Sequence, residues 1–342
     1  MSDNKPEFCP DCDGITRRDF LKAVGGVTVA AAAGVPVFAT ARPAAAAPKP
    51  GSQESLVTHL YGTLSPEQKS AVCFDWGHKK RLQVDNNWFI VPQTIGEFYK
   101  PEQQALISDI FKSAHSEEWI AKRLQQMKDD AGAFDKYCIA IFGEPGSGKF
   151  ELVMTGRHMT MRVDGDSNAG VALGGPHFYG HAVAGNEKPD HPGNVYWYQA
   201  LRANDVYKAL DGKQREKALL LGPIPADNPS VLITGRREGL PVADMTKDQQ
   251  DLVGKVLGDL LAPMNRADAG EARKYIDANG GVKSLSMSFY KQQDLGDDGV
   301  WDVWRLDGPT MSWYFRGAPH VHTWVWIGEK PLTTAPPNSR AA

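Results

Sequence analysis

Five of the nine histidines fall into two compact groups, and imidazole is the side chain best suited to hold a metal or move a proton near neutral pH. His158 lies in Gly156-Arg157-His158-Met159-Thr160, and His177 and His181 flank Phe178-Tyr179-Gly180. His320-Val321-His322 comes near the C-terminus, just before Thr323-Trp324-Val325-Trp326. On a strand, alternate side chains share a face, so His320 and His322 point the same way, with Cα atoms roughly 7 Å apart. Two imidazoles so placed can converge on one ion, and His158 is a candidate third ligand, with His177 or His181 nearby. Neutral imidazole suits zinc, copper or iron, and three histidines with an open position make a Lewis-acid centre.

The competing explanation of these histidines is structural. His-x-His is a short and frequent pattern, no HExxH is present, and His177 follows the turn-forming Gly174-Gly175-Pro176. His59, His78, His115 and His191 sit in polar or helical contexts that suit surface or structural roles.

Other motifs point to less. Gly143-Glu144-Pro145-Gly146-Ser147-Gly148-Lys149-Phe150 fits the G-x-x-x-x-G-K of a phosphate loop, but Phe150 stands where a Ser/Thr hydroxyl should bind magnesium. Phe150 to Met154 also alternates like a strand, where a phosphate loop needs a helix N-terminus. A turn between two antiparallel strands is expected, and no nucleotide. No Gly-x-Ser-x-Gly nucleophile elbow occurs. Asp75, Asp164 and Asp166 are candidate carboxylate ligands or bases, with turn and cap roles the default. Arg236-Arg237, Arg305 and Arg316 could clamp an anion bidentately, with a solvated surface role as their default. Trp301, Trp304, Trp313, Trp324 and Trp326 crowd the last strands, as packing or as an aromatic groove for a small-molecule ligand.

The elements that must position these residues come in blocks. Helical patterns cover Glu54–Leu64, Pro66–Val72 with Ser65 as N-cap, Glu102–Ser113 and Ser116–Ala131. In the last of these Trp119, Ile120 and Leu124 define the expected inner face. Strand-like runs cover Tyr137–Phe142 and Phe150–Val163, followed by a Gly-rich loop over 164–194. Helices return at about 203–221, Thr246–Leu261 and Ala269–Ala278, and strands at Lys283–Tyr290, Val300–Leu306, Thr310–Phe315 and His320–Ile327. Blocks of helices and strands without strict alternation predict an α+β fold with mainly antiparallel sheet packed by helices.

Composition excludes several classes. With 38 Lys+Arg against 41 Asp+Glu the chain is at −3, which gives no general pull towards nucleic acid or anionic lipid. Thr16-Arg17-Arg18-Asp19-Phe20-Leu21-Lys22 reads as a twin-arginine export signal, with Arg17 and Arg18 engaging the export machinery. The stretch Ala23–Ala39 contains Gly25, Gly26, Gly34 and Pro36, so it makes a poor permanent membrane span. Small residues between Ala41 and Ala47 suit cleavage. Residues 1–46 are therefore expected to be a signal and linker, and 47–342 a single domain, periplasmic or secreted. The −3 charge survives that cut, because 1–46 carries five basic and five acidic residues. Cys9 and Cys12 leave with the signal; Cys73 and Cys138 remain, either paired or as buried thiols.

The order of these segments resembles an uncharacterised bacterial family catalogued as domain of unknown function 3500. The resemblance rests on Tyr137–Pro145, Gly156–Thr160, His177–Gly180, Leu201–Leu210, Leu240-Pro241 with Met245–Leu261, Val303–Pro309 and His320–His322. It covers roughly Glu54 to Ile327, and it implies a Phe-Gly-x-Pro turn at the phosphate-loop mimic. The family usually has two adjacent histidines where this chain has Arg157-His158, and an Arg-Asp after the His-x-His where this chain has Thr323-Trp324. The resemblance implies architecture and candidate positions, not a reaction. The expected function is an exported protein with a histidine-bound transition metal, possible chemistry being metal-dependent hydrolysis. The alternative is a non-enzymatic periplasmic ligand-binding or interaction module built on the tryptophan-rich sheet.

Overall fold

The computed structural model describes residues 52–339, apart from 182–190, 192, 237 and 295–297. The twin-arginine segment with Arg17 and Arg18, the Cys9/Cys12 pair and Arg237 lie outside the described residues. The helices are α1 Gln53–Thr63, α2 Pro66–Val72, α3 Ile95–Phe98, α4 Pro101–Ser113, α5 Glu117–Ala131, α6 Trp197–Ala209, α7 Gly212–Ala218, α8 Lys247–Leu261 and α9 Arg266–Ala278. The strands are β1 Cys73–Phe74, β2 Cys138–Gly143, β3 Phe150–Gly156, β4 Met159–Val163, β5 His177–His181, β6 Leu219–Leu220, β7 Leu240–Pro241, β8 Ser286–Tyr290, β9 Val303–Asp307, β10 Met311–Arg316 and β11 Val321–Ile327. They form one sheet in the order β1-β2-β3-β4-β5-β11-β10-β9-β8-β6, with β7 beside β8. Only β1–β2 and β6–β8 run parallel among these pairs, so the α+β fold with mainly antiparallel pairing is what forms.

Local signals explain the helix starts. Ser65, Asp211 and Thr246 each close a reciprocal capping box with a Gln three residues on, and Pro66 fills the first helical position of α2. Ser116 departs from its expected role: its hydroxyl donates to the Ala262 carbonyl at 2.7 Å instead of capping α5. The expected helix at 203–221 is two helices, because Leu210 leaves the helical region and Asp211 caps a new one. The loop at 164–194 also holds strand β5, whose His-Phe-Tyr-Gly-His alternation is too short to stand out beside so many glycines.

The strand-like run 150–163 is likewise two strands. They are joined by Arg157-His158, with His158 at φ 55°, a left-handed conformation uncommon outside glycine, asparagine and aspartate but tolerated by histidine. The phosphate-loop mimic closes the β2–β3 hairpin, with Gly143 opposite Phe150. A Cβ on Gly143 would fall 2.1 Å from the Lys149 carbonyl, so only glycine permits this close turn.

Apolar packing divides at the sheet. The β2–β4 half packs with α1, α2, α4 and Met127 of α5, whereas α6, α8 and α9 cover one face of the C-terminal strands. The opposite face of those strands carries Phe178, Tyr314, Trp324 and Trp326 and is covered by irregular chain around Val84, Val231 and Leu232. Trp304, Trp313 and Trp324 are fully buried, so they pack the core and offer no open groove. Cys73 and Cys138 are free thiols.

Candidate metal centre

Strand periodicity decides which histidines meet. In the β5–β11 ladder His322 lies opposite Gly180 and Trp324 opposite Phe178, and residues directly opposite share a face. The even-numbered positions of β5 therefore accompany His322, while His177, Tyr179 and His181 point to the other face. The missing side chain at Gly180 leaves room at that point, and the His158 ring fills it: a Cβ on Gly180 would lie 3.2 Å from His158 Cδ2 and 2.3 Å from the Val321 carbonyl.

His158 reaches this place through its turn. Its backbone N–H donates to the Asn86 carbonyl at 2.8 Å, and its carbonyl accepts from Gly180 N–H at 3.2 Å. The segment around Asn86 is pinned alongside by Trp88 Nε1 donating to Thr160 Oγ1 and by Ile90 N–H donating to Thr155 Oγ1. His320, just before β11, completes the set.

His158, His320 and His322 each offer a nitrogen, and these atoms lie within 4.8 Å of one another. All three residues are buried, at 0%, 2% and 0% exposure. The Nε2 atoms of His320 and His322 are 3.0 Å apart, and the His158 ring centre is 5.2 Å from that of His320 and 5.1 Å from that of His322. Three imidazoles together in the core need a ligand or a complete hydrogen-bond set, since each buried polar atom left unmatched costs about 1–3 kcal/mol.

Two carboxylates orient the rings. Asp227 Oδ2 stands 2.6 Å from His322 Nδ1, and Asp130 Oδ2 3.0 Å from His158 Nδ1. A carboxylate oxygen only accepts, so each Nδ1 carries a proton, and in the neutral ring Nε2 then carries the lone pair. Histidine ligands of metals are held in this way by a carboxylate behind the ring. Arg316 Nη2 also lies 2.9 Å from His322 Nδ1, but a protonated Nδ1 cannot accept from it. The shorter carboxylate contact decides the tautomer, and the Arg316 charge acts on Asp227, 3.4 Å from Oδ2.

Asp227 is the hub of this set. Its Oδ1 accepts from Trp324 Nε1 at 2.6 Å and its Oδ2 from Asn86 Nδ2 at 3.2 Å. Burial alone pushes its carboxyl up, but His322, Arg316 and the donated hydrogen bonds outweigh this and hold it well below the usual carboxylate range. Burial, then the neighbouring His322, Arg157 and His181, pushes His158 well below its ordinary value, so the imidazole is neutral at pH 7. In this neutral state His158 can ligate without first releasing a proton.

Asp130 sits at the end of a polar ladder on α5. Arg123 Nη1 donates to Gln126 Oε1 at 3.1 Å, and Gln126 Nε2 donates to Asp130 Oδ2, which holds His158. The expected inner face of α5, through Ile120 and Leu124, is corrected accordingly: those two are half-buried, while Trp119, Arg123, Gln126 and Met127 are buried. His181 lies near the same acid, its Nδ1 3.7 Å from Asp130 Oδ1, without joining the triad. His177 lines a separate cavity with His115.

Asp164, Arg305 and Arg316 have structural roles. Asp164 accepts from Asn168 N–H in a turn, as expected. Arg305 and Arg316 are not solvated: Arg305 forks onto Asp307 at 2.7 and 2.8 Å, and both arginines are nearly inaccessible. Asp130 and Asp227 escaped detection in the sequence because nothing local distinguishes them from surface acids. The one available signal is the spacing of Arg123, Gln126 and Asp130, which puts three polar groups on the Trp119/Met127 stripe of α5.

No helix among the described residues is long and apolar enough to cross a membrane. No curated protein and no solved structure matches the chain. The family described as protein of unknown function (DUF3500) matches residues 49–325, which include His158, His320, His322, Asp130 and Asp227. With most of its length matched, the chain belongs to the DUF3500 family.

Proposed function

We propose that this is an exported metalloprotein in which His158, His320 and His322 hold one transition metal ion, zinc, copper or iron, and that its chemistry is metal-dependent hydrolysis. One observation carries the reading. Three buried histidines offer nitrogens within 4.8 Å of one another, and two of them have a carboxylate behind the ring. A metal on three histidines keeps a coordination position for water or substrate, lowers the pKa of bound water and polarises a carbonyl or phosphoryl oxygen. Within this chain Asp130 and Asp227 fix the ligating tautomers, and Arg316 supports the Asp227 charge.

Export supports the same reading. A twin-arginine signal passes folded proteins, so a buried site of this kind can be filled before translocation. The test is the metal content of protein purified from the periplasm, with N-terminal sequencing of the mature chain. The proposal expects about one ion per chain and a start between residues 41 and 48. Metal-free native protein that also takes up none on reconstitution would refute it, and a full-length cytoplasmic chain would refute the export.

A further inference from the structure

We propose that the cavity where β4 and β5 part is a second binding site, specific for a small organic carboxylate held by Arg123. None of the three clustered histidines lines it, although Arg123 connects to His158 through Gln126 and Asp130. The two strands pair only at Met159/Tyr179 and Thr160/Phe178, and beyond this they open onto a cavity of about 20 Å³. Its lining includes Arg123, Tyr196, His177, His115, Arg162 and Asp268.

Charge is the first argument. Arg162 in this wall is matched by Glu151, 2.9 Å away. Arg123 is equally deep, at 5% exposure, but forms no ion pair among the described residues. Its partners are the neutral Gln126 amide and the Tyr196 ring, 5.5 Å away. Asp130 acts on this guanidinium only from the far side of Gln126. A buried guanidinium without a directly paired anion is costly, and a carboxylate is the planar group that matches its fork. Burial lowers Arg123 only to about 10, so it is a cation at neutral pH.

Unused hydrogen-bonding groups are the second, independent argument. Tyr196 Oη and His177 Nδ1 belong to residues that line the same cavity and are 1% and 6% exposed, and neither atom has a hydrogen-bond partner among the described residues. Both can donate to an oxygen held on Arg123. The volume exceeds the roughly 10–15 Å³ that one water needs, so there is room for a small polar group beside Arg123. Asp268, half-buried in the wall, discriminates against a dianion such as sulfate or phosphate.

The test titrates full-length mature protein with sodium formate and sodium acetate, using sodium chloride and sodium sulfate at matched ionic strength as controls. Binding is read by thermal shift and by line broadening of 13C-formate. Saturable binding of formate or acetate is expected, reduced at least tenfold in Arg123→Gln and about three- to tenfold in Tyr196→Phe. Tyr196→Phe removes one unpartnered hydroxyl, so its unliganded melting temperature should match the wild type even where Arg123→Gln is destabilised. Binding should persist with a chelator present and in His320→Ala, which separates this site from the metal reading. Absence of saturable binding, equal binding of chloride or sulfate, or full affinity in Tyr196→Phe would overturn the proposal.

Discussion

The Nε2 atoms of His320 and His322 face each other at 3.0 Å. Because Asp227 fixes the His322 proton on Nδ1, the His322 Nε2 presents a lone pair to His320. Without an ion, His320 must turn its own N–H onto that lone pair. With an ion, both lone pairs point at it. Nitrogens about 2.0–2.1 Å from a metal are roughly 3.0 Å apart at a right angle and roughly 3.3 Å apart in a tetrahedron. The observed separation needs a change of only a few tenths of an ångström to serve either geometry.

Removing the charge behind His322 should weaken the metal without emptying the core. Asp227→Asn keeps the size of the side chain but loses its charge and one of the two acceptor oxygens that serve His322 Nδ1–H and Trp324 Nε1–H. Metal affinity, measured by competition with a chromophoric chelator, should fall about 10–100-fold. Unchanged affinity would mean that Asp227 is only a packing partner of Trp324.

Asp130→Asn should do the same to His158, with a similar loss in the same competition assay. Because Gln126 can re-pair with an amide, the fold should be retained, and far-UV circular dichroism checks this. The double variant with Asp227→Asn should lose more than either alone, since each carboxylate serves a different ligand.

These two acids also mark the limit of what the sequence reveals. The His-x-His pair is readable because strand period alone places both rings on one face. The choice among His158, His177 and His181 is not, since it depends on the register that sets His322 against Gly180. His158 is further hidden by its place in a left-handed turn inside what reads as one continuous strand. The capping boxes at Ser65 and Thr246 are local and therefore readable. The Asp130 and Asp227 contacts join segments 28 and 95 residues from their histidines, and no short-range pattern encodes them.

Gly180→Ala should damage both the sheet and the site. The added methyl would stand 2.3 Å from the Val321 carbonyl, where the backbone must move. A loss of about 1–3 kcal/mol in urea denaturation is expected, together with weaker metal binding from the displaced His158. Wild-type stability in this variant would contradict the close approach of β5 and β11.

Acid stability should show two regimes. Burial, followed by the Arg123 charge, lowers His115 to about 3, and burial, followed by Arg162 and other cations, lowers His177 to about 3. Their unfolded values lie near 6.5, so the unfolded chain binds more protons and stability falls as pH drops from about 6.5 to about 3. Burial raises Asp164 and Asp268 to about 6, and protonating them restores stability between about pH 6 and 4. Two opposite pairs nearly cancel in that window, leaving the loss from His158, which burial also holds below its ordinary value. Below about pH 4 Asp164 and Asp268 stop contributing, the two histidines together remove about 3 kcal/mol per pH unit, and Asp227, held well below the usual carboxylate range, adds to the loss. Urea midpoints of the metal-free protein should decline slowly to about pH 4 and steeply below it; a rise throughout that range would contradict the burial of these groups.

X-ray absorption of the zinc-loaded protein tests the central claim most directly. Three nitrogen scatterers at about 2.0–2.1 Å with the outer-shell signature of imidazole are expected, reduced or lost in His158→Ala and His322→Ala. A first shell of water and carboxylate oxygens without imidazole scattering, or no stoichiometric zinc to measure, would contradict the three-histidine site.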